Sequence, residues 1–212
     1  TKLAFKCVTA TPQGSNNRVC ISNRDGTART EISNPLVESF LPPILSADAR
    51  KVLFFPFHDS GVPNEYLEYS LGIANADGSD ARILYDVDNS GLNADAFLAG
   101  FSPDGSKVAY YLRSEDGSPN SLWIINADGT GRTQLLSGAI LVNSQDFFVL
   151  EGFGQRSISF SPDGSKIIFA FSPQGTGLRN TALYTINTDG SGLTPLTDPT
   201  ENIHDEAEPQ YS

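Results

Sequence analysis

Hydrophobic residues in this chain fall in short runs broken by glycine, proline, aspartate and asparagine. Lys107–Leu112, Leu122–Asn126, Lys166–Phe171 and Leu183–Asn187 are rich in β-branched and aromatic residues and read as strands. Arg132–Leu136 and Leu193–Thr197 each follow an Asp-Gly turn of hairpin type and read as strands too. The longest unbroken apolar run is far too short to cross a membrane.

Two tetrapeptides alternate between these runs. Ser102-Pro103-Asp104-Gly105 recurs as Ser161-Pro162-Asp163-Gly164 and, degenerate, as Ser46-Ala47-Asp48-Ala49. Asn126-Ala127-Asp128-Gly129 recurs as Asn23-Arg24-Asp25-Gly26, Asn75-Ala76-Asp77-Gly78 and Asn187-Thr188-Asp189-Gly190, with successive copies 52, 51 and 61 residues apart. Proline supplies a fixed φ and glycine a positive one, so both are turns with a mechanism. Each unit of about 50 residues then holds four short antiparallel strands, the sequence signature of propeller blades.

The pair Phe101–Tyr110 and Leu122–Gly131, with its counterpart Phe160–Phe169 and Leu183–Gly192, resembles the WD40-like repeats of TolB-type β-propellers. The resemblance implies an all-β fold of about four four-stranded blades, where TolB-type propellers usually have six. The predicted organisation is one domain over residues 1–212. Blade 1 takes 208–212 plus 1–32, blade 2 takes 43–85, blade 3 takes 99–136 and blade 4 takes 157–197.

The two ends match parts of one repeat. Thr1–Phe5 aligns with Ser106–Tyr110, and Glu208–Ser212 with the stretch ending at Phe101 and Ser102. The C-terminal strand is thus expected to complete the first blade, with Leu3, Phe5, Pro209 and Tyr211 at the closure. Three arrangements remain open: a ring closed within one chain, a head-to-tail polymer in which the strand completes a neighbouring chain, and a fragment of a longer propeller. Thr1 at the start and the lack of Met point to a processed chain or an excised piece.

Cys7 aligns with Leu112 and Phe171, and Cys20 with Trp123 and Tyr184, on adjacent strands of a blade. With a loop centred near residues 13–14 the two fall opposite each other, close enough for a disulfide. The alternative is two buried thiols in a reduced protein. A disulfide implies an oxidising, extracytoplasmic compartment: secreted, periplasmic or at the cell surface.

The turns named above lie on one rim of such a propeller. The other rim gathers the long dissimilar segments 8–18, 57–69, 113–121 and 172–181, and the connections 33–42, 86–98, 137–156 and 198–207. Length variation on one face marks either a binding face or unconstrained drift. Ile140, Leu141, Phe147 and Phe148 make the longest connection apolar, so it folds over the propeller mouth or meets another molecule. Asp86, Asp88 and Ser90 have the spacing of the start of a calcium loop, without the glutamate that completes one; calcium is the only cofactor they suggest.

Chemistry is otherwise sparse. His58 and His204 are the only histidines, and no nucleophile-elbow, zinc-protease or phosphate-loop motif is present. His204 lies among acids, where a solvated loop residue is the plainer reading than a base. A net charge of −11 disfavours nucleic acid, whose phosphates recruit Lys and Arg. The sequence therefore reads as a non-enzymatic extracytoplasmic propeller that binds protein, either another protein or itself head to tail. A structural filament subunit polymerised by strand exchange is the first alternative. A small glycan-acting hydrolase, with carboxylates contributed by separate blades, is the second.

Overall fold

A computed structural model of the chain describes residues 2–11, 14–32, 34, 37, 39, 41–58, 68–88, 90, 94–114, 120–137, 158–171 and 182–197. All regular structure among them is β. The strands are β1 (Lys2–Thr11), β2 (Gly14–Asn23), β3 (Thr30–Glu31), β4 (Ile44–Leu45), β5 (Lys51–Phe54), β6 (Phe57–His58), β7 (Glu68–Tyr69), β8 (Leu71–Asn75) and β9 (Arg82–Tyr85). They continue as β10 (Ala94–Phe101), β11 (Lys107–Ser114), β12 (Ser121–Asn126), β13 (Thr133–Ser137), β14 (Ile158–Phe160), β15 (Lys166–Phe171), β16 (Ala182–Asn187) and β17 (Thr194–Pro195). No helix among the described residues is long and apolar enough to cross a membrane.

The sheets repeat one antiparallel order. Three have four strands, β4-β5-β8-β9, β10-β11-β12-β13 and β14-β15-β16-β17; the first sheet has three described strands, β1-β2-β3. A two-stranded β6-β7 ribbon extends the hairpin between β5 and β8, inside what the sequence marks as a loop. The chain divides into two compact units, Thr1–Ala96 and Phe97–Ser212.

The turns form where the tetrapeptides predict them. Ser102 Oγ donates to Asp104 Oδ1 at 2.6 Å and accepts the Lys107 N–H at 2.9 Å, closing the turn from both sides. Ser161 repeats this with Asp163 and Lys166, and Ser46 with Asp48 and Lys51. In the other turn, the Thr27, Ser79, Thr130 and Ser191 amides donate to the aspartates two residues earlier. Short polar side chains stand in for backbone partners, so each turn is satisfied locally.

Each unit has its own core between two neighbouring sheets. In the first, Val19, Ile21 and Ile32 meet Val52, Phe54 and Ala74 around Val37. The connection that carries Val37 also pins the sheets together: the Ser39 amide donates to the Asn17 carbonyl at 3.1 Å, and the Phe55 amide donates to Ser39 Oγ at 3.0 Å. In the second, Ala109, Tyr111, Leu122 and Ile124 meet Ile167, Phe169 and Ile186. Alternate residues of a strand face opposite ways, so each central strand presents one set of side chains on either side of its sheet.

Two features depart from the sequence reading. Residues 8–18 are not a loop: β1 runs to Thr11, β2 starts at Gly14, and the two pair continuously from Lys2↔Asn23 to Thr11↔Gly14. β10 likewise starts at Ala94, inside the predicted 86–98 connection, and carries Asp95 into full burial, where Oδ1 accepts the Tyr69 N–H at 3.2 Å.

Candidate functional site

The repeat gives an internal standard for burial. Lys2, Lys51, Lys107 and Lys166 each open the strand after the first turn of a unit. The residue that follows is Leu3, Val52, Val108 or Ile167, and the one two further on is Phe5, Phe54, Tyr110 or Phe169. Val52, Val108, Ile167, Phe54, Tyr110 and Phe169 are all 0% exposed, whereas Leu3 is 47% exposed and Phe5 is only half-buried. Strand position explains part of the contrast. β5, β11 and β15 each lie between two strands, while β1 borders β2 alone among the described residues.

The face that carries Leu3 and Phe5 also carries the disulfide. Cys7 and Cys20 are bonded, with Cα atoms 5.8 Å apart. They are not directly opposite as the sequence reading had them. Cys7 pairs with Arg18, and Cys20 pairs with Phe5, so the bond crosses the ladder diagonally. The register Thr11↔Gly14 centres the hairpin one residue earlier than the expected 13–14. The Arg29 guanidinium lies 5.5 Å from the centroid of the Phe5 ring, a cation–π contact like that of its repeat counterpart Arg132 over Trp123 at 4.2 Å.

A second internal standard concerns the glycine that ends the Asn-x-Asp-Gly turn. In the first unit, a Cβ placed on Gly78 would lie 2.7 Å from Ile32 Cγ2 on the preceding sheet. In the second, a Cβ on Gly190 would lie 3.4 Å from the Leu135 carbonyl oxygen, again on the preceding sheet. Ile32 and Leu135 stand at the same place in their units, six residues after Gly26 and Gly129. At Gly26 a Cβ would meet nothing within 4 Å. At the other end of the series, the residues six after the turn glycine are Ile32, Leu84, Leu135 and Leu196; the first three are 2%, 9% and 7% exposed, and Leu196 is 53% exposed.

The carboxylates of the turns are structural. In Asp104, the Ser102 hydroxyl, the Ser106 amide and the Ser106 hydroxyl hold the carboxyl down to about 2, and Ser161 with Ser165 do the same for Asp163. A shallow cleft of about 190 Å³ lies between these two turns, lined by Pro103, Asp104, Ser106, Lys107, Pro162 and Asp163. Its acids are ionised at neutral pH, which suits no proton donor, and their oxygens already accept hydrogen bonds from the neighbouring serines. Asp25, Asp77 and Asp189 are lowered in the same way by Thr27, Ser79 and Ser191.

Two of the three calcium candidates make side-chain hydrogen bonds within their own turn. Asp86 Oδ1 accepts the Asp88 N–H at 3.1 Å, while Ser90 Oγ donates to the Val87 carbonyl at 3.2 Å and lies 3.1 Å from the Tyr85 hydroxyl. The one grouping of acid, histidine and cysteine with metal-like spacing among the described residues is Cys7, Cys20 and Glu31. Its two sulfurs are bonded to each other and offer no thiolate. Ile140, Leu141, Phe147, Phe148, His204, Pro209 and Tyr211 lie outside the described residues, and His58 is placed only as backbone in β6. Sequence reasoning paired the two cysteines and named Leu3 and Phe5 as candidates. It did not single out Gly26, Arg29 or Leu196, whose surroundings differ from those of their repeat counterparts.

No protein-family model and no curated protein matches this chain. Solved structures do. A puromycin hydrolase variant is similar over all of this chain and 31% of its own length, at TM-score 0.68 and 18% identity. An oligogalacturonate lyase in complex with manganese is similar over 92% of this chain and 49% of its own, at 0.58 and 16%. A TolB-type protein from Agrobacterium tumefaciens is similar over 93% of this chain and 62% of its own, at 0.53 and 16%. The chain thus spans between 31% and 62% of the length of these three structures. These likenesses show the fold: the sheets are blades of a β-propeller of the kind TolB has.

Proposed function

We propose that this chain is a non-enzymatic, protein-binding β-propeller of an oxidising, extracytoplasmic compartment, and that it binds by accepting β-structure on its first blade. One observation carries the reading: Leu3 is 47% exposed where its three repeat counterparts are 0% exposed. An open strand edge beside an apolar face is what strand-addition recognition uses, with the backbone supplying affinity and side-chain pockets specificity. The Cys7–Cys20 bond supports both the compartment and a rigid, preformed surface. The hydrolase and lyase among the similar structures do not favour catalysis here, because the described carboxylates of the turns are committed to their own serines and threonines.

The test uses a labelled peptide of residues 205–212, the segment whose sequence aligns with an innermost strand. It is expected to bind the intact chain, with Leu3→Glu weakening it by at least about tenfold. Failure of the peptide to bind at millimolar concentration would overturn the proposed surface.

A further inference from the structure

We propose that Cys7, Cys20 and Glu31 form a redox-gated zinc site. Joined as a disulfide, the two sulfurs hold no metal; once reduced, they bind a zinc ion together with the Glu31 carboxylate. The site does not depend on the strand-accepting role of the same blade.

Three neighbouring strands supply the ligands. Cys7 is on β1, Cys20 on β2 and Glu31 on β3, with Cys20 and Glu31 paired directly in register. One ligand atom from each, two sulfurs and a carboxylate oxygen, lie within 4.8 Å of one another. A tetrahedral zinc with bonds of about 2.3 Å to sulfur sets its thiolates about 3.8 Å apart. The Cys7 and Cys20 Cα atoms are 5.8 Å apart, which lets the freed sulfurs swing to that spacing without moving the strands. Both cysteines are buried and the Glu31 side chain is 44% exposed, so the fourth position opens to water.

Repeat and charge both point to this corner. A disulfide needs two cysteines and no carboxylate. The repeat counterparts of Cys7, Cys20 and Glu31 are Leu112, Trp123 and Gln134 in one sheet and Phe171, Tyr184 and Pro195 in the next, with neither thiol nor carboxylate among them. Arg29 Nη2 lies 3.9 Å from Cys20 Sγ, which sets a positive charge beside a sulfur that becomes a thiolate. Arg18 Nε lies 4.0 Å from Glu31 Oε1, which orients the carboxylate and leaves its other oxygen for the metal. With these two guanidiniums, the charges of two thiolates, one carboxylate and a divalent ion nearly cancel.

The redox step balances. A dithiol gives up two electrons and two protons and becomes a disulfide; the Cys7–Cys20 bond breaks and each sulfur gains one proton. Zinc then displaces both thiol protons and ties β1 to β2 again in place of the lost bond.

The test uses the intact chain and cobalt(II), whose ligation by thiolate gives a sulfur-to-metal charge-transfer band that carboxylates alone do not. A phosphine, which reduces the bond with water and becomes its oxide, replaces the dithiol, because a dithiol would itself bind the metal. The reduced chain is expected to take up cobalt with that band, to release it to zinc, and to keep the β-sheet circular dichroism of the oxidised chain. The oxidised chain is expected to show no band. Cys7→Ser should weaken binding and dim the band; Glu31→Gln should keep the band but weaken binding by at least about tenfold, no less than the loss of an outer partner costs. Uptake without the band assigns the ion to surface carboxylates and overturns the site. So does a Glu31→Gln variant that binds as tightly as the parent, or a reduced chain, folded or unfolded, that takes up no cobalt.

Discussion

Ile32 packs directly over Gly78, with its Cγ2 2.7 Å from where a Cβ on that glycine would sit. The contact joins the outer strand of one blade to a turn of the next, and Leu135 makes its counterpart with Gly190. Gly78 and Gly26 have nearly the same backbone, φ +85° and +81°, so alanine strains both alike. Only at Gly78 does the new methyl also meet a neighbour. Gly78→Ala is therefore expected to destabilise by about 1–3 kcal/mol more than Gly26→Ala, the usual penalty of overpacking. Urea midpoints of the two variants measure the difference. Equal losses would mean that the glycine answers to φ alone.

The disulfide closes a hairpin that the β1-β2 ladder already holds. Its residues are 13 apart, a loop worth about 3 kcal/mol in the chain-entropy account. Paired Cys7→Ser and Cys20→Ser is expected to lose at most that much and to keep the fold. Intact mass with alkylation before and after reduction checks the bond: native protein should take up no label.

The repeat made most of the fold legible, because its turns carry their own hydrogen-bond partners. Ser102, Asp104 and Gly105 specify a turn whatever surrounds them, and the strand Lys166–Phe171 fell where its β-branched and aromatic residues put it. The Cys7–Cys20 bond was legible as a pairing but not in register. In the blades where Tyr110 pairs with Trp123 and Phe169 with Tyr184, the counterpart of Cys20 faces the counterpart of Phe5, and that alignment already implied a diagonal. The β1-β2 extension through residues 8–18 was hidden because Pro12 and Gly14 read as loop formers. The exposure of Leu3 was illegible for a different reason: Leu3 and Val108 are equally apolar, and sequence does not say which one is buried.

Ala49 occupies the place of Gly105 and Gly164 in its turn and adopts φ 56°, beside 67° and 71° for the glycines. A left-handed alanine costs roughly 1–2 kcal/mol, partly offset by the extra freedom glycine has when unfolded. Ala49→Gly is expected to stabilise the chain by about 0.5–1 kcal/mol. A lower urea midpoint would contradict it.

Acid should unlock two turns together. Asp104 and Asp163 have folded values near 2 against an ordinary 3.8, so their contribution is complete above pH 3.8 and fades as pH falls toward 2. Asp104→Asn with Asp163→Asn is expected to be less stable than the parent at neutral pH, with the gap closing over that window. Thermal midpoints across the window show it. A gap that stays constant would assign the loss to shape rather than to the ionised carboxylates.

The most direct measurement is amide hydrogen exchange of β1 against β11 in dilute protein. The two strands are repeat counterparts, and β11 is flanked on both sides while β1 borders β2 alone among the described residues. If the first blade presents an open edge and face, a share of the amides from Leu3 to Cys7 exchanges quickly while those from Val108 to Leu112 stay protected, and protection of β1 appears on adding the 205–212 peptide. Equal protection of the two strands in dilute protein, with no change on adding the peptide, would contradict the account.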